Sequence, residues 1–244
     1  MTGKNTYRIG TSGWNYPHWK KRFYPEAIKK KDWFGYYCRH FDTVEVNNTF
    51  YRWPGKDILK KWHDSAPSSF RFTLKVPRMI THMKKLKDCG EYVRQFYDLA
   101  ASLKQKMGCF LFQLPPNYTF TEHNFSKLRT FIAHLDGRKN NVIEFRDKAW
   151  WNRDVYALLE ESNIAFCTVS GLDMPGEQVV TSDLAYYRFH GRHYSTQYSE
   201  LEIKEFAARM KDLQGEKIFA YFNNDNNAYA VKNAQQLMKE LNHA

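Results

Sequence analysis

Eight short apolar runs recur along the chain, and each ends in polar or charged residues. The runs cover residues 7–11, 43–48, 71–76, 109–114, 141–146, 164–170, 185–190 and 217–223. Stretches with helical character separate most of them, and such alternation is typical of parallel strands joined by crossovers. Eight units in about 250 residues are typical of a (β/α)8 barrel, and the chain has 244 residues. We therefore predict an α/β fold, a single TIM-like barrel domain over residues 1–244.

Seven helices are predicted to accompany the eight strands. Helical periodicity covers residues 32–41, 57–65, 91–107, 122–135, 153–161, 200–213 and 229–241. The missing helix falls between the sixth and seventh strands, where residues 171–184 hold Pro175 and two glycines. That segment is too short for a full helix with its loops, so we expect a shortened crossover there.

Side chains alternate between the two faces of a strand, so each run divides into two sets. One set is apolar or small and is expected to face the helices. The other set is expected to face the barrel axis, and it consists of Thr11, Glu45, Asn47, Thr73, Lys75, Gln113, Glu144, Arg146, Thr168, Ser170, Arg188, His190, Tyr221 and Asn223.

The inward set contains charges that must be paired, because an unpaired buried charge is very costly. Glu45 and Glu144 can pair with cations, and the candidates are Lys75, Arg146, Arg188 and His190. Two interpretations are open at this point. The charges form a structural ion-pair network, or they form a functional site at the strand ends, where barrel proteins usually place one.

No cofactor is predicted. A metal site needs three or four ligands that converge on one point. Ligands could come from Glu45, Glu144, His82, His190 and Asp225, but the chain has no HxH, HExxH or DxD signature. Because Lys75, Arg146 and Arg188 would repel a cation, a divalent metal is not favoured.

The formal net charge of +11 favours anionic partners, either a phosphorylated small molecule or nucleic acid. The predicted loops after strands one and three are basic and contain Lys20, Lys21, Arg22, Lys29, Lys30 and Lys31, and Arg78, Lys84, Lys85 and Lys87. Five tryptophans follow predicted strands and could stack on bases or close the barrel mouth: Trp14, Trp19, Trp53, Trp150 and Trp151.

The expected compartment is the cytoplasm. The sequence has no run of 18 apolar residues and no apolar leader region, so membrane spanning and secretion are not expected. The four cysteines show no CxxC spacing, which fits free thiols in a reducing environment. We predict no membrane partner, and the sequence leaves the oligomeric state open.

The motifs at the strand ends resemble those of the YecE-like family, a domain of unknown function (number 72). They are Gly10-Thr11-Ser12-Gly13-Trp14, Val44-Glu45-Val46-Asn47 with Thr49-Phe50-Tyr51, Phe72 to Pro77 with Lys75, Thr81-His82, Phe112-Gln113-Leu114-Pro115-Pro116, Glu144-Phe145-Arg146 with Trp150, Arg188-Phe189-His190-Gly191, and Tyr221-Phe222-Asn223-Asn224. The resemblance covers nearly the whole chain in order and implies a TIM-like barrel. It implies no reaction, because fold alone does not set function.

Three functions fit these observations. In the first, the protein is an enzyme that acts on an anionic, phosphate-bearing substrate by general acid/base chemistry at the carboxyl ends of the strands, as a hydrolase, isomerase or lyase. The second is nucleic-acid binding with or without cleavage, and the third is a non-catalytic ligand-binding barrel.

For the enzyme, the predicted catalytic residues are Glu45, Lys75, Glu144 and His190. The predicted substrate-binding residues are Thr11, Ser12, Trp14, Asn47, Tyr51, His82, Gln113, Arg146, Trp150, Arg188, Tyr221, Asn223 and Asn224.

Overall fold

The computed structural model describes residues 5–213 and 216–242. Eight parallel strands follow one another around a barrel in the order β1-β8-β7-β6-β5-β4-β3-β2. Their bounds are β1 Thr6–Thr11, β2 Thr43–Val46, β3 Arg71–Lys75, β4 Met107–Gln113, β5 Asn141–Glu144, β6 Ala165–Gly171, β7 Leu184–Gly191 and β8 Lys217–Phe222. The predicted (β/α)8 fold is confirmed. Residues 1–4, 214, 215, 243 and 244, which the domain prediction includes, lie outside the described residues.

The helices lie between successive strands. Their bounds are α1 Trp33–Tyr37, α2 Asn48–Tyr51, α3 Lys56–Ser65, α4 Gly90–Ala100, α5 Glu122–Ile132, α6 Arg153–Glu161, α7 Glu200–Lys211 and α8 Tyr229–Asn242. The helix predicted over residues 91–107 ends as a 3-10 segment, Ala101–Lys106, in which Lys104 has a positive φ of 47°. The short helix α2 was not predicted, because a single turn has no periodicity to detect.

The crossover between β6 and β7 is short, as predicted. Residues 172–183 are all described and contain no helix. Thr181 ties this segment back to the barrel, since its Oγ1 accepts from the backbone N–H of Phe166 at 2.9 Å and donates to the carbonyl oxygen of Ile164 at 2.6 Å.

Side-chain capping fixes the starts of three helices. Ser199 and Glu202 form a reciprocal capping box at α7, and the Thr121 and Asn152 side chains cap α5 and α6. Such caps satisfy backbone N–H groups that have no partner within the helix. They therefore set where each crossover helix begins after its strand.

The alternation of inward and outward side chains agrees with the sequence prediction. Outward-facing residues such as Val44, Phe72 and Phe110 pack with the helices in one large buried apolar cluster. Inward-facing residues form a second, smaller buried cluster on the barrel axis: Cys109, Leu111, Val142, Ala165, Cys167, Val169, Leu184, Tyr186, Phe219 and Tyr221. The lower interior is therefore largely apolar, and the charged groups lie above it at the strand ends.

The barrel is closed between β1 and β2 by a side chain rather than by a full backbone ladder. The Tyr37 hydroxyl accepts from the backbone N–H of Thr11 at 3.1 Å and donates to the carbonyl oxygen of Thr43 at 3.0 Å. A Cβ atom at Gly10 would lie 2.4 Å from that same carbonyl oxygen, so glycine is required where the two strands approach. One buried hydroxyl thus replaces a strand-to-strand hydrogen bond.

Among residues 5–213 and 216–242, no helix has both the length and the apolar character that a bilayer span requires.

Tyr37→Phe should destabilise the protein by about 1–3 kcal/mol, because it leaves a buried N–H and a buried C=O without a partner. The measurement is the free energy of unfolding from urea denaturation. Tyr36→Phe is the matched control, since no hydrogen bond of the Tyr36 hydroxyl is found among the described residues. Equal stability of the Tyr37 variant and the unaltered protein would contradict this account of barrel closure.

Candidate functional site

Arg188 lies at the centre of the polar layer. From β7, its Nη1 donates to Glu144 Oε2 on β5 at 2.6 Å, and its Nη2 donates to Glu45 Oε1 on β2 at 2.6 Å. All three side chains are buried. One guanidinium therefore joins two carboxylates that come from well-separated strands.

Glu45 is held by two further hydroxyl groups. Ser12 Oγ donates to Glu45 Oε1 at 2.8 Å, and Tyr186 Oη donates to Oε2 at 2.7 Å. A backbone bridge between Ser12 and Glu45 also joins the ends of β1 and β2. With Arg188, both carboxylate oxygens of Glu45 have partners, which is what a buried charge requires.

Glu144 is surrounded by cationic and neutral donors on its other side. Arg146 Nε donates to Glu144 Oε1, and His190 Nε2 lies 3.4 Å from the same oxygen. Asn223 Nδ2 lies 3.3 Å from His190 Nδ1. Arg146 Nη2 also lies 3.3 Å from His190 Nε2. A neutral His190 that donates from Nε2 to Glu144 and accepts at Nδ1 from Asn223 satisfies those two contacts, and Arg146 Nη2 then makes no hydrogen bond to the ring.

The electrostatics of the network keep the carboxylate charged and the imidazole neutral. Burial acts to raise the pKa of Glu144, but Arg146 and Arg188 outweigh it and hold the pKa well below its usual value. Burial lowers the pKa of His190 to about 3, against the opposing hydrogen bond to Glu144. His190 is therefore neutral at physiological pH and holds Glu144 in place rather than exchanging protons with solvent.

Lys75 differs from the other cations of the layer. Its half-buried side chain places Nζ 4.0 Å from the centre of the Phe50 ring. Among the described residues, no carboxylate lies within ion-pair distance of Nζ and none of their polar atoms hydrogen-bonds to it. Burial, with the charges of Arg188 and Arg146, lowers the pKa of Lys75 to about 7. The expected ion pair between Lys75 and a carboxylate is therefore not formed.

His82 lies beside Lys75 on the loop after β3. Its ring packs edge-on against Phe50, with ring centres 4.8 Å apart, and its Nδ1 is 2.9 Å from Thr81 Oγ1. Burial and the charge of Lys75 lower the pKa of His82 to about 4. A neutral imidazole and an amine with a pKa near neutral thus both contact one aromatic ring.

Arg146 and Tyr194 are in contact at the rim of the barrel. Arg146 Nη1 donates to Tyr194 Oη at 3.0 Å, and the tyrosine side chain is 41% exposed. A cavity of about 500 Å³ opens at the ends of β6 and β7, and its lining includes Ser170, Arg192 and Ser199 but not Lys75, Arg146 or Tyr194. A small molecule therefore has room at the ends of β6 and β7.

Several predicted binding residues lie away from this layer. Trp150 is fully buried, stacks on Phe145 and donates from Nε1 to the carbonyl oxygen of Tyr118 at 2.7 Å. Trp14 packs against Phe34 and Trp62 in the cluster between strands and helices. Neither indole lies at the mouth, because the turns after β1 and β5 carry both back toward the helices.

Other predicted residues support the fold around the site. The Tyr221 hydroxyl forms hydrogen bonds with Thr43 Oγ1 at 2.6 Å and with Thr73 Oγ1 at 2.9 Å. These bonds lie on the barrel axis, beneath the charged side chains. Asn224 is buried and donates to Thr196 and Asn233. Thr11 is buried at the β1–β2 seam, and Gln113 donates to the carbonyl oxygen of Leu114.

Two predicted residues remain at the mouth with free polar groups. Tyr51 is 73% exposed and packs against Phe50. Asn47 has a buried side-chain oxygen that finds no hydrogen-bond partner among the described residues. An unsatisfied buried acceptor at a strand end is a position where a ligand could donate a hydrogen bond.

The described part of the chain contains no group of three or more His, Cys, Asp or Glu side chains arranged to hold a metal ion. Of the carboxylates that the sequence offered as ligands, Glu45 and Glu144 are bound by Arg188 and its neighbours, and Asp225 is bound by His18 and Trp19.

A family model described as "Protein of unknown function DUF72" matches residues 8–244. The chain belongs to the DUF72 family. The curated relative YecE of Escherichia coli K12 is 30% identical over 138 residues, which cover 57% of this chain. The chain spans about half the length of that relative, 47%. YunF of Bacillus subtilis 168 is 25% identical over an alignment that covers 96% of this chain and 94% of YunF.

Solved structures of DUF72 proteins have the same fold. A Thermotoga maritima member is 29% identical with a TM-score of 0.86, and the match covers 97% of this chain and 99% of that chain. An Enterococcus faecalis member is 21% identical with a TM-score of 0.83, covering 97% and 96%. The second likeness concerns the fold alone.

Sequence reasoning missed three residues of the DUF72 site. Tyr186 hydrogen-bonds Glu45, and its parity with Arg188 along β7 was the signal that could have revealed it. Phe50 lies under Lys75, and Tyr194 binds Arg146 from a loop. Strand parity carries no information about these last two, because neither lies on a strand.

Arg188→Leu should destabilise the protein by about 3–5 kcal/mol near pH 8, because it leaves buried carboxylates without their shared cation. Arg188 is one of the two cations that lower the pKa of Glu144, so its loss would raise that pKa and the folded variant would bind more protons than the folded unaltered protein. The deficit should therefore shrink as the pH falls to about 4.5. Urea denaturation at both pH values measures this. Arg138→Leu is the control, since Arg138 is exposed beside Asp136. A loss of unfolding free energy that does not change with pH would contradict the assignment of Arg188 as the shared cation of the two buried carboxylates.

Proposed function

We propose that this DUF72 protein is an enzyme that acts on a small anionic substrate at the carboxyl ends of the barrel strands. The observation that carries the proposal is the Lys75 amine, which has no carboxylate partner among the described residues and a pKa lowered to about 7. A group with a pKa near the working pH is suited to proton transfer, and perturbed amines of this kind cluster at functional sites.

The charge balance of the layer favours an anion. Glu45 and Glu144 are compensated by Arg188 and Arg146, while His190 is neutral. A proton on Lys75 therefore adds a positive charge with no counter-ion among the described residues. An anion bound between Lys75 and Arg146 would supply that counter-charge in a partly desolvated site, where such an interaction is strong.

The roles assigned to the charged residues follow from their exposure. Glu45 and Glu144 are fully buried and fully engaged, so they act as positioning residues that fix Arg188 and Arg146. Arg146 is suited to hold an anionic group, and Lys75 is suited to accept or donate the proton. This division keeps the expected acid/base chemistry and, of the four residues predicted to be catalytic, assigns the proton transfer to Lys75.

Nucleic-acid binding has less support. The basic loop after β1 is exposed at Lys20, Arg22 and Lys30. However, Trp19 and Trp150, two of the side chains expected to stack on bases, are fully buried. Base stacking needs exposed aromatic faces, so these two tryptophans cannot provide it in this conformation.

Sulfate should bind at the mouth with uptake of a proton near pH 8. The anion stabilises the charged ammonium, so it raises the pKa of Lys75 above about 7 and protonates an amine that was mostly neutral. Isothermal titration calorimetry in two buffers of different ionisation enthalpy measures the uptake. Lys75→Met should abolish the uptake, and Arg146→Gln should weaken binding by about tenfold or more.

Arg138→Gln serves as the control for loss of an exposed arginine, and sulfate affinity should not change in it. Thermal unfolding of each variant establishes that it is folded. Sulfate binding that is equally strong in the Lys75 and Arg146 variants would refute the proposed site.

A further inference from the structure

We propose that Lys75 forms a covalent imine with the carbonyl carbon of a small anionic oxo compound, of which an α-keto acid is the simplest example. This inference rests on the proposed function, because it places the anionic group of the substrate at Arg146. It goes further by naming the reactive group of the substrate and by making Lys75 a nucleophile.

The first observation is that the Lys75 amine lacks the hydrogen bonds that another buried lysine, Lys106, makes. Lys106 is buried, and its Nζ donates to the carbonyl oxygens of His63 and Ala66. The Lys75 Nζ makes no ion pair with a described carboxylate and faces the Phe50 ring at 4.0 Å. Its nitrogen lone pair, once unprotonated, is not engaged by any described polar group.

The second observation is the environment that keeps the amine unprotonated. The groups that act on Lys75 are Arg146 and Arg188, which oppose its charge, and Glu45 and Glu144, which favour it. His82 packs edge-on against Phe50 and is neutral at physiological pH. Because the two carboxylates are already bound to guanidinium groups, burial and the cations prevail. Desolvation and a neighbouring cation are the two usual ways in which a lysine nucleophile is activated.

The third observation is that the surroundings can hold the rest of such a substrate. Arg146 lies two residues beyond the end of β5, and its Nη1 and Nη2 each keep one N–H besides the one that faces Tyr194 or His190, so these N–H groups can donate to a carboxylate. Asn47 offers an unpartnered side-chain oxygen that can accept from a hydroxyl group. An α-keto acid has a carboxylate for Arg146 beside the carbonyl carbon that Lys75 would attack, and the carbinolamine formed at that carbon has the hydroxyl group that can donate to Asn47.

The chemical step balances without an added oxidant or reductant. The Lys75 nitrogen attacks the carbonyl carbon, the C=O electron pair moves to oxygen, and a proton passes from nitrogen to that oxygen to give a carbinolamine. The hydroxyl oxygen then takes a proton from solvent, the C–O bond breaks as the C=N bond forms, and one water is released, which leaves the imine protonated. The protonated imine attracts electrons from the adjacent carbon, which favours breaking a C–H or C–C bond there.

The experiment traps the imine by reduction. The full-length protein is incubated near pH 7.5 with pyruvate, glyoxylate or acetaldehyde, treated with sodium borohydride, and analysed by intact mass and peptide mapping. We expect one reduced adduct per chain with the two oxo acids, located at Lys75, and much less adduct with uncharged acetaldehyde. Lys75→Arg should remove the adduct while keeping a cation in place.

Lys84→Arg is the matched control, because Lys84 also lies over an aromatic ring, that of Tyr92 at 5.3 Å, on the loop after β3. Its adduct yield should equal that of the unaltered protein. Thermal unfolding shows whether Lys75→Arg is folded, and Lys75→Met provides a second test. Adducts spread over exposed lysines, adducts that persist in both Lys75 variants, or no adduct with any of the three probes would overturn the inference.

The two proposals fail in different ways. If sulfate binds as described above but no carbonyl compound is trapped, the imine is refuted and the anion site stands. If Lys75 is trapped equally by acetaldehyde and by the oxo acids and sulfate does not bind, the nucleophile stands and the anionic substrate is refuted.

Discussion

The double hydrogen bond of Arg188 to Glu45 and Glu144 is the interaction on which the polar end of the barrel depends. Three buried charges in one layer are tolerated only when each has a partner, and here one guanidinium supplies partners for two carboxylates. The network leaves the two acids bound and unavailable to a substrate. It also leaves the Lys75 amine without a counter-ion among the described residues, and the proposed chemistry rests on this second consequence.

The fold places this layer by two separate means. Strand parity points Arg188 and its partners toward the axis, above an apolar interior that ends at Tyr221. The Tyr37 hydroxyl joins β1 to β2 beneath the Ser12–Glu45 contact, so closure of the barrel and the position of Glu45 are linked. A shift in that seam would move one carboxylate relative to Arg188, and the ion pairs would weaken with it.

The sequence was sufficient to predict the eight strands, the short crossover after β6 and the inward direction of the charged residues, because alternation along a strand is a local property. It was not sufficient to predict which charges pair. Lys75 shares the inward parity of Glu45, yet whether an amine meets a carboxylate depends on distances across the barrel. The tryptophans illustrate the same limit: Trp150 follows a strand in sequence, but a turn folds it back beneath Tyr118, where it lies in the core.

The central claim is that Lys75 is an uncompensated amine that loses its proton near neutral pH. The most direct measurement is an NMR titration of protein labelled with ¹³C at the lysine ε-carbons, in which the Lys75→Arg spectrum assigns the Lys75 resonance. The account predicts a midpoint near a pKa of about 7 for Lys75, while exposed lysines titrate near their ordinary pKa of about 10.4. A Lys75 midpoint within the range of the exposed lysines would contradict the account.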